Sequence, residues 1–401
     1  MGLSGDGGLL VVGGGLAATR VIEGYRRLGG TGAVTLVGAE EHQPYDRPPL
    51  SKAVLRGERD VVALREEWAS LDVGLRLGRR AVALHPDRHG LLLDDGEELA
   101  YEALVVATGA APRTIPGLSG PGVHVLRTLD DARALRADVL AHGRLTVVGA
   151  GFIGCEVAAS ARAMDAAVTV VEALPAPLAR VLGGEVGAEV AARHRAAGVD
   201  LRCGVSVLEL REDAGLRELL LSDGSTVDAT VVVVGIGVAP DTGWLAGSGV
   251  EVDDGVLCDA TGRTSVPDIW AAGDVARWLD PRSGEHVRTE HWTSAADQGA
   301  AVARDLRGEG VPLDEVPYVW SDQHGWRLQV LGRPHPDDAP TLLRVGTDGD
   351  RLVWVSAREG RLTAVVGIDA ARAVMRMRPL LAQGASGDEA LARLEELGGR
   401  R

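Results

Sequence analysis

The same turn occurs twice in this sequence, and that repetition limits what the chain can fold into more than any other feature. At residues 147–156 it reads VVGAGFIGCE, a strand-like apolar run ending in Gly149, Gly151 and Gly154, with Phe152 and Ile153 inside the turn. The first two glycines let the backbone turn tightly and approach a pyrophosphate. The third lets a helix pack closely on the strand, and the N-terminus of that helix faces the phosphates. At 11–18 the chain reads VVGGGLAA, with Gly13, Gly15 and Ala18 in the equivalent positions and Leu16 and Ala17 between them. Two such units in one chain indicate an internal duplication of a dinucleotide-binding fold.

The surrounding pattern agrees. Short Val-rich runs at 9–12, 34–37, 104–107, 146–148, 168–171 and 231–234 alternate with longer helical stretches, the signature of parallel strands covered on both faces. The span 78–101 reads as strands and a hairpin turning at Asp94-Asp95-Gly96, and Ser222-Asp223-Gly224 marks a second hairpin. From about Val319 the texture changes. Alternating stretches at 328–331, 342–345, 351–356 and 362–368 suggest an antiparallel sheet. Asp369 is expected to cap a helix running towards Met377, and Gly387-Asp388 to precede a last amphipathic helix. The expected fold is α/β: two Rossmann-like nucleotide-binding domains plus a C-terminal α+β domain. The boundaries fall at 1–115 with 240–318, at 116–239, and at 319–401, with 117–122 as a crossing between domains.

Each fold calls for a ligand. The strand after the second turn ends at Val171-Glu172, which places Glu172 where a carboxylate accepts the adenosine ribose hydroxyls and repels a 2′-phosphate. The nearest following arginine is Arg180, so NADH is favoured over NADPH. A lone NAD site points to a dehydrogenase, whereas a second dinucleotide fold points to FAD as the hydride acceptor. The chain of 401 residues is long enough for two or three domains, and its formal net charge of −15 argues against general affinity for nucleic acid or anionic membranes. The start of the chain lacks an apolar signal core, and no apolar run reaches the length of a membrane span. Cys155, Cys203 and Cys258 lie far apart with no Cys-x-x-Cys pair, which argues against a disulfide framework, a zinc site and a redox-active dithiol; no metal is expected. A reducing cytoplasm is the expected home.

The motifs PYDRPPLSK (44–52), ATGAAPRTIPG (107–117), VVGAGFIGCE (147–156), GRTSVPDIWAAGD (262–274), EHWTSAADQG (290–299) and VPYVWSDQHG (316–325) occur in order through nearly the whole chain. Together they resemble the FAD-dependent, NADH-using ferredoxin reductases of cytochrome P450 and aromatic-ring dioxygenase systems. The resemblance implies that Lys52 lies beside the flavin ring, that Arg127 borders the FAD, and that Val82 meets its adenine end through the backbone. It implies that Asp274 holds a ribityl hydroxyl, that Trp292 presents its backbone to the pyrimidine edge, and that Trp320 sits near the isoalloxazine. It implies further that Glu156 faces the nicotinamide and could pair with Lys52. The same carry-over assigns cofactor contacts to Arg47, Ala107, Thr108, Gly109, Gly235, Ile236, Gly237, Gly273, Glu290 and His291.

Plainer readings stand beside these. Lys52 could be a solvated lysine. Asp274, in a Gly-Asp turn read as preceding a helix, could be a simple N-cap. Trp320 either packs at a domain edge or carries electrons. At the end of the second strand the family's usual acid is replaced by Ala39, so that either Glu40 swings in to the FAD ribose or the ribose is held less firmly, and Ala300 stands where relatives often have a basic residue.

The implied mechanism delivers hydride from NADH to the flavin, with a nearby lysine stabilising the charge that develops, and passes electrons singly to a [2Fe–2S] ferredoxin or similar small redox protein. Such carriers are mostly acidic, so Arg304, Arg327, Arg333, Arg372, Arg376 and Arg378 are candidates for a basic docking patch or are ordinary solvated arginines. Two alternatives share the architecture: a disulfide reductase or NADH oxidase, disfavoured because no cysteine precedes Cys155, and a non-enzymatic NADH-sensing flavoprotein. Monomer and homodimer are both compatible with the sequence.

Overall fold

The computed structural model describes residues 8–65, 67–213, 215–346 and 350–400, so most of the glycine-rich start lies outside the described residues. Contacts divide the chain into two compact units: Met1–Asp46 with Val61–Ala111 and Val238–Glu315, and Arg47–Asp60 with Pro112–Gly237 and Val316–Arg401.

The first unit is built on a parallel sheet in the order Ile269–Ala271, Ala103–Val106, Leu9–Val12, Val34–Gly38, Val73–Leu77. Four of these strands are almost wholly apolar and inaccessible, as expected for strands covered on both faces. The helices Leu16–Arg27 and Trp292–Leu306 pack together so closely that a Cβ on Gly299 would lie 2.6 Å from the Ala17 carbonyl oxygen. A small antiparallel sheet, Ala81–His85, Gly90–Leu93 and Glu98–Ala100, contains the expected hairpin, closed by the Gly96 N–H on the Leu93 carbonyl at 3.0 Å.

The second unit repeats the plan, with parallel strands in the order Asp200–Cys203, Ala167–Glu172, Arg144–Val148, Val232–Val234, Val123–His124. An antiparallel sheet follows in sequence, Val207–Asp213, Leu216–Leu221 and Thr226–Asp228, whose last two strands join at the second expected hairpin. The segment 117–122 lies inside this unit, where the Val232 N–H binds the Gly122 carbonyl at 2.8 Å. The C-terminal part of the unit is a five-stranded antiparallel sheet, ordered Tyr318–Gln323, Trp326–Gly332, Arg361–Ile368, Arg351–Arg358, Thr341–Val345. Its Trp326, Leu328 and Val330 share one core with Val147, Val170 and Val186 of the nucleotide fold.

Four local expectations need correction. Asp369 does not cap the next helix: it sits at φ +53° and its carboxylate accepts the Arg327 N–H at 2.8 Å, while Ala370 begins Ala371–Arg376. The neighbouring strand has taken the oxygen a cap would use. The last helix, Gly387–Glu396, includes the glycine read as lying before it; Ser386 is the N-cap, in a reciprocal capping box with Glu389. Asp274 precedes a strand, Ala276–Leu279, not a helix, which removes the N-cap reading of that residue. Tyr318–Gln323 also forms a full strand where alternation was read only from 328 onward.

Candidate active site

In the first unit Gly13 adopts φ +124°, and a Cβ there would lie 2.0 Å from the Ala107 carbonyl oxygen. Only glycine fits. The turn is pinned by the Gly13 N–H on the Val37 carbonyl and the Ala107 N–H on the Val12 carbonyl, each 2.7 Å. Helix Leu16–Arg27 starts at Gly15 with no side-chain cap and no acidic residue in its first turn. Helix Leu129–His142, by contrast, opens on a Thr128–Asp131 capping box with two aspartates in its first turn. An N-terminus left without cap or acid keeps its N–H groups and positive dipole end for an anion.

Around this turn the Gly273 N–H donates to Gln298 Oε1 at 2.8 Å, and Gly273 sits at φ +81°, where a Cβ would lie only 3.1 Å from Ala17 Cβ. Asp274 follows, half-buried. Thr108 Oγ1 donates to the Asp241 carbonyl at 2.8 Å, and Gly109 sits at φ +73°. The Tyr45 hydroxyl donates to Glu40 at 2.5 Å, beside exposed Ala39. Trp292 Nε1 donates to Asp46 Oδ1 at 2.7 Å, orienting a helix that begins at His291 without a side-chain cap. Glu290 pairs with Arg288. Val82, exposed, lies at a register shift between Ala81 and Ala83, so the ladder is interrupted at its backbone.

The second unit repeats the cradle with its own anchors. Gly149, at φ +101°, leaves 2.5 Å between a Cβ and the Gly235 carbonyl oxygen, and a Cβ on Gly154 would lie 2.0 Å from the Gly149 carbonyl oxygen. Gly151 begins helix Phe152–Ala163, again with neither side-chain cap nor acid in the first turn, and Ile153 is exposed there. Glu172 is held beside the turn: its Oε2 accepts the Ala150 N–H at 2.6 Å and its Oε1 the Leu174 N–H at 2.8 Å. Gly235 and Ile236 follow the strand Val232–Val234, and the Gly237 carbonyl accepts the Arg113 N–H at 2.9 Å. Arg180 is exposed near the start of helix Ala179–Ala196. Arg47 Nη1 donates to the Arg127 carbonyl at 2.7 Å.

Also within the second unit, Lys52 Nζ lies 2.6 Å from Glu156 Oε2, the lysine side chain mostly and the glutamate almost wholly withdrawn from solvent. Lys52 Nζ also reaches the Pro48 carbonyl at 3.2 Å and Ser51 Oγ at 3.3 Å, and Ser51 Oγ donates to Glu156 Oε2 at 2.6 Å. Lys52 is therefore an ordered, paired ammonium and not a solvated one. A buried pair of this kind keeps both charges only with such extra donors. Trp320 lies on the strand Tyr318–Gln323, its ring stacked on Tyr318 at 6.0 Å between centroids.

The thiols are not poised for chemistry. Burial pushes Cys155 and Cys258 well above the ordinary thiol range, and Cys203, half-buried, is raised for the same reason. Among the described residues no cluster of three or more potential metal ligands occurs, and no helix is long and apolar enough to cross a membrane.

Sequence reasoning missed Asp46, Ser51, Ser321, Gln323 and His194. Ser321 and Gln323 stand two apart on one strand and so share a face, a signal that was legible. Nothing in the sequence couples His194 to them.

The chain matches the pyridine nucleotide-disulphide oxidoreductase family over residues 8–299 and the reductase C-terminal family over 318–395. It is 41% identical over 329 residues to the ferredoxin–NAD(+) reductase component of the p-cumate 2,3-dioxygenase system of Pseudomonas putida, covering 81% of each chain. It is 37% identical over 385 residues to the corresponding component of the anthranilate 1,2-dioxygenase system of Burkholderia cepacia, covering 94% of this chain and 95% of that one. The solved covalent complex of putidaredoxin reductase with putidaredoxin matches with a TM-score of 0.91 at 31% identity, over 98% of this chain and 100% of that chain.

Proposed function

The chain belongs to the pyridine nucleotide-disulphide oxidoreductase family, and we propose that it is an FAD-dependent reductase that takes hydride from NADH and passes electrons singly to a ferredoxin-type iron–sulfur protein. That carrier serves a cytochrome P450 or a ring-hydroxylating oxygenase. The observation that carries this reading is the pair of glycine cradles, each opening an uncapped, acid-free helix N-terminus, in a chain whose relatives are named as ferredoxin–NAD(+) reductase components.

FAD, when bound, supplies a two-electron acceptor for hydride that can release electrons one at a time. The chain's residues supply binding and electrostatics. Residues 1–115 and 240–318 bind FAD, 116–239 bind NADH, and 319–401 form the third domain. Gly13, Gly15, Leu16, Ala17 and Ala18 take the FAD pyrophosphate on backbone N–H groups, with Glu40 serving the ribose and Arg47, Val82, Ala107, Thr108, Gly109, Arg127, Gly273, Asp274, Glu290, His291 and Trp292 completing the site. Gly149, Gly151, Phe152, Ile153 and Gly154 take the NADH pyrophosphate, with Arg180, Gly235, Ile236 and Gly237 bordering it. Glu172 accepts the adenosine ribose hydroxyls and excludes a 2′-phosphate. Lys52, paired with Glu156, offers positive charge to the flavin ring, and Trp320 borders it.

Thiol chemistry has no part in this reading, because the most buried cysteines are held protonated. Alkylation with iodoacetamide at neutral pH leaves activity intact; inactivation in step with thiol loss would return the disulfide-reductase alternative. The decisive experiment is reduction of a panel of [2Fe–2S] ferredoxins and rubredoxin by the flavin-loaded protein, with NADH and with NADPH. Rapid ferredoxin reduction with NADH alone is expected. A protein that binds no flavin, or a stable NADH-reduced state that reduces no carrier, would overturn it.

A further inference from the structure

A hydrogen-bonded chain ends on Glu156, and the reading above leaves it unused. Ser321 Oγ donates to Glu156 Oε1 at 2.7 Å, and Gln323 Nε2 donates to Ser321 Oγ at 2.9 Å. His194 Nε2 stands 2.8 Å from Gln323 Oε1, and His324 Nε2 stands 3.2 Å from His194 Nδ1. Glu156, Ser321, Gln323 and His194 are each at most 3% exposed, so water does not compete for these groups.

Donor and acceptor capacity fixes the direction of every link. An ionised carboxylate only accepts, so the Ser321 hydroxyl proton is committed to Glu156. Ser321 can then only accept from Gln323, which turns the amide NH₂ towards the serine and its oxygen towards His194. That oxygen requires a proton on His194 Nε2; in the neutral ring Nδ1 is then an acceptor for the His324 N–H. Burial favours the neutral form of His194, and burial with the facing His194 and Arg162 brings His324 down to about 4. Every donor therefore points towards Glu156.

We propose that Ser321, Gln323 and His194 are positioning residues for the Lys52–Glu156 pair. Their aligned donors turn Oε1 to the strand, leaving Oε2 to Lys52 and Ser51, so that the Lys52 ammonium occupies one place. The proposal deepens the function above and rests on the assignment of Lys52 to the flavin. The other titratable or charged groups around the chain are Cys155, next to Glu156 on its helix; Arg56, whose Nη1 is 3.3 Å from Ser160 Oγ and which pairs with exposed Glu58; Arg162, beside His324; and Arg193, over the Trp326 ring at 5.5 Å and 2.7 Å from Glu189. None of them supplies Oε1 with a replacement donor.

The test uses the full-length, FAD-loaded protein and its Ser321→Ala, Ser321→Thr and Gln323→Met variants. Anaerobic bleaching of the bound flavin by NADH is followed as a function of pH, and the flavin midpoint potential is measured separately. Loss of one charge-assisted hydrogen bond raises the pH of the acid limb by about one to two units in Ser321→Ala. Gln323→Met gives a smaller shift in the same direction, and Ser321→Thr, which keeps the hydroxyl, restores the wild-type limb. In the alanine variant the potential also departs from the wild-type value, because the Lys52 ammonium is no longer held in one place. Alanine and methionine variants with wild-type pH profiles and potentials overturn the proposal. So does an alanine variant that loses its folded far-UV signature while Gln323→Met behaves as wild type, since the hydroxyl would then serve packing alone. A wild-type protein that binds no FAD, or is not bleached by NADH, defeats the functional reading instead, so the two failures are distinguishable.

Discussion

The two glycine turns are built alike, yet each holds its following carboxylate differently. In the second unit Glu172 ends the strand itself and accepts two backbone N–H groups, from Ala150 in the turn and Leu174 beyond it. In the first unit the strand ends at Gly38, Ala39 follows exposed, and Glu40 is reached by the Tyr45 hydroxyl. Backbone donors belong to the turn and survive any side-chain change around them. A phenol is a side chain and can be removed. On the proposed assignment, the carboxylate for the NADH ribose is fixed by backbone donors at its own turn, whereas Glu40, proposed for the FAD ribose, accepts a side-chain donor from Tyr45.

Substitution of the first glycine in each turn has the largest expected effect, because both positions have positive φ and face a backbone oxygen that cannot move aside. Gly13→Ala yields protein without flavin, measured by absorbance after purification. Gly149→Ala keeps its flavin but raises the KM for NADH by about 100-fold or more. If both variants lost flavin, the division of labour between the turns would be wrong. Glu172→Ala comes next: the KM for NADH rises by about 10- to 100-fold with kcat nearly unchanged, and the preference over NADPH narrows. An unaltered preference in steady-state kinetics would remove Glu172 from the ribose site. Tyr45→Phe is milder, weakening FAD binding by about 3- to 10-fold in a fluorescence titration while leaving the KM for NADH alone. Ala39→Glu is the smallest. It restores an acid at an exposed position and tightens FAD by about threefold or less; a large gain would mean that Glu40 does not serve the ribose.

Much of this was legible along the chain. The parallel strands at 9–12, 34–38, 103–106, 144–148, 167–172 and 232–234, both hairpins and both glycine turns lie where apolar runs and turn residues put them, because each depends on residues within a few positions of one another. The outer strands Val73–Leu77, Val123–His124, Asp200–Cys203 and Ile269–Ala271 lie outside those runs. The errors came where a local signal met a competing partner. Asp369 has the composition of a cap, but Arg327 on the adjacent strand supplies the N–H it binds. The Gly-Asp turn at 273–274 looks like a helix start, yet Ala276 pairs into a sheet with Val256. Lys52 and Glu156 draw a role from their motifs, whereas Ser51, Ser321 and Gln323 lie within quoted motifs with no role attached and His194 lies outside them.

By itself the sequence determined the two nucleotide folds, since a backbone that must pass within contact of another strand's carbonyl tolerates only glycine, and that demand is written at single positions. Only the tertiary structure decided what surrounds Glu156. Ser51 and Ser321 reach it from 105 and 165 residues away. A buried carboxylate accepts a hydroxyl from any segment that packing delivers, and no spacing along the chain encodes which one arrives.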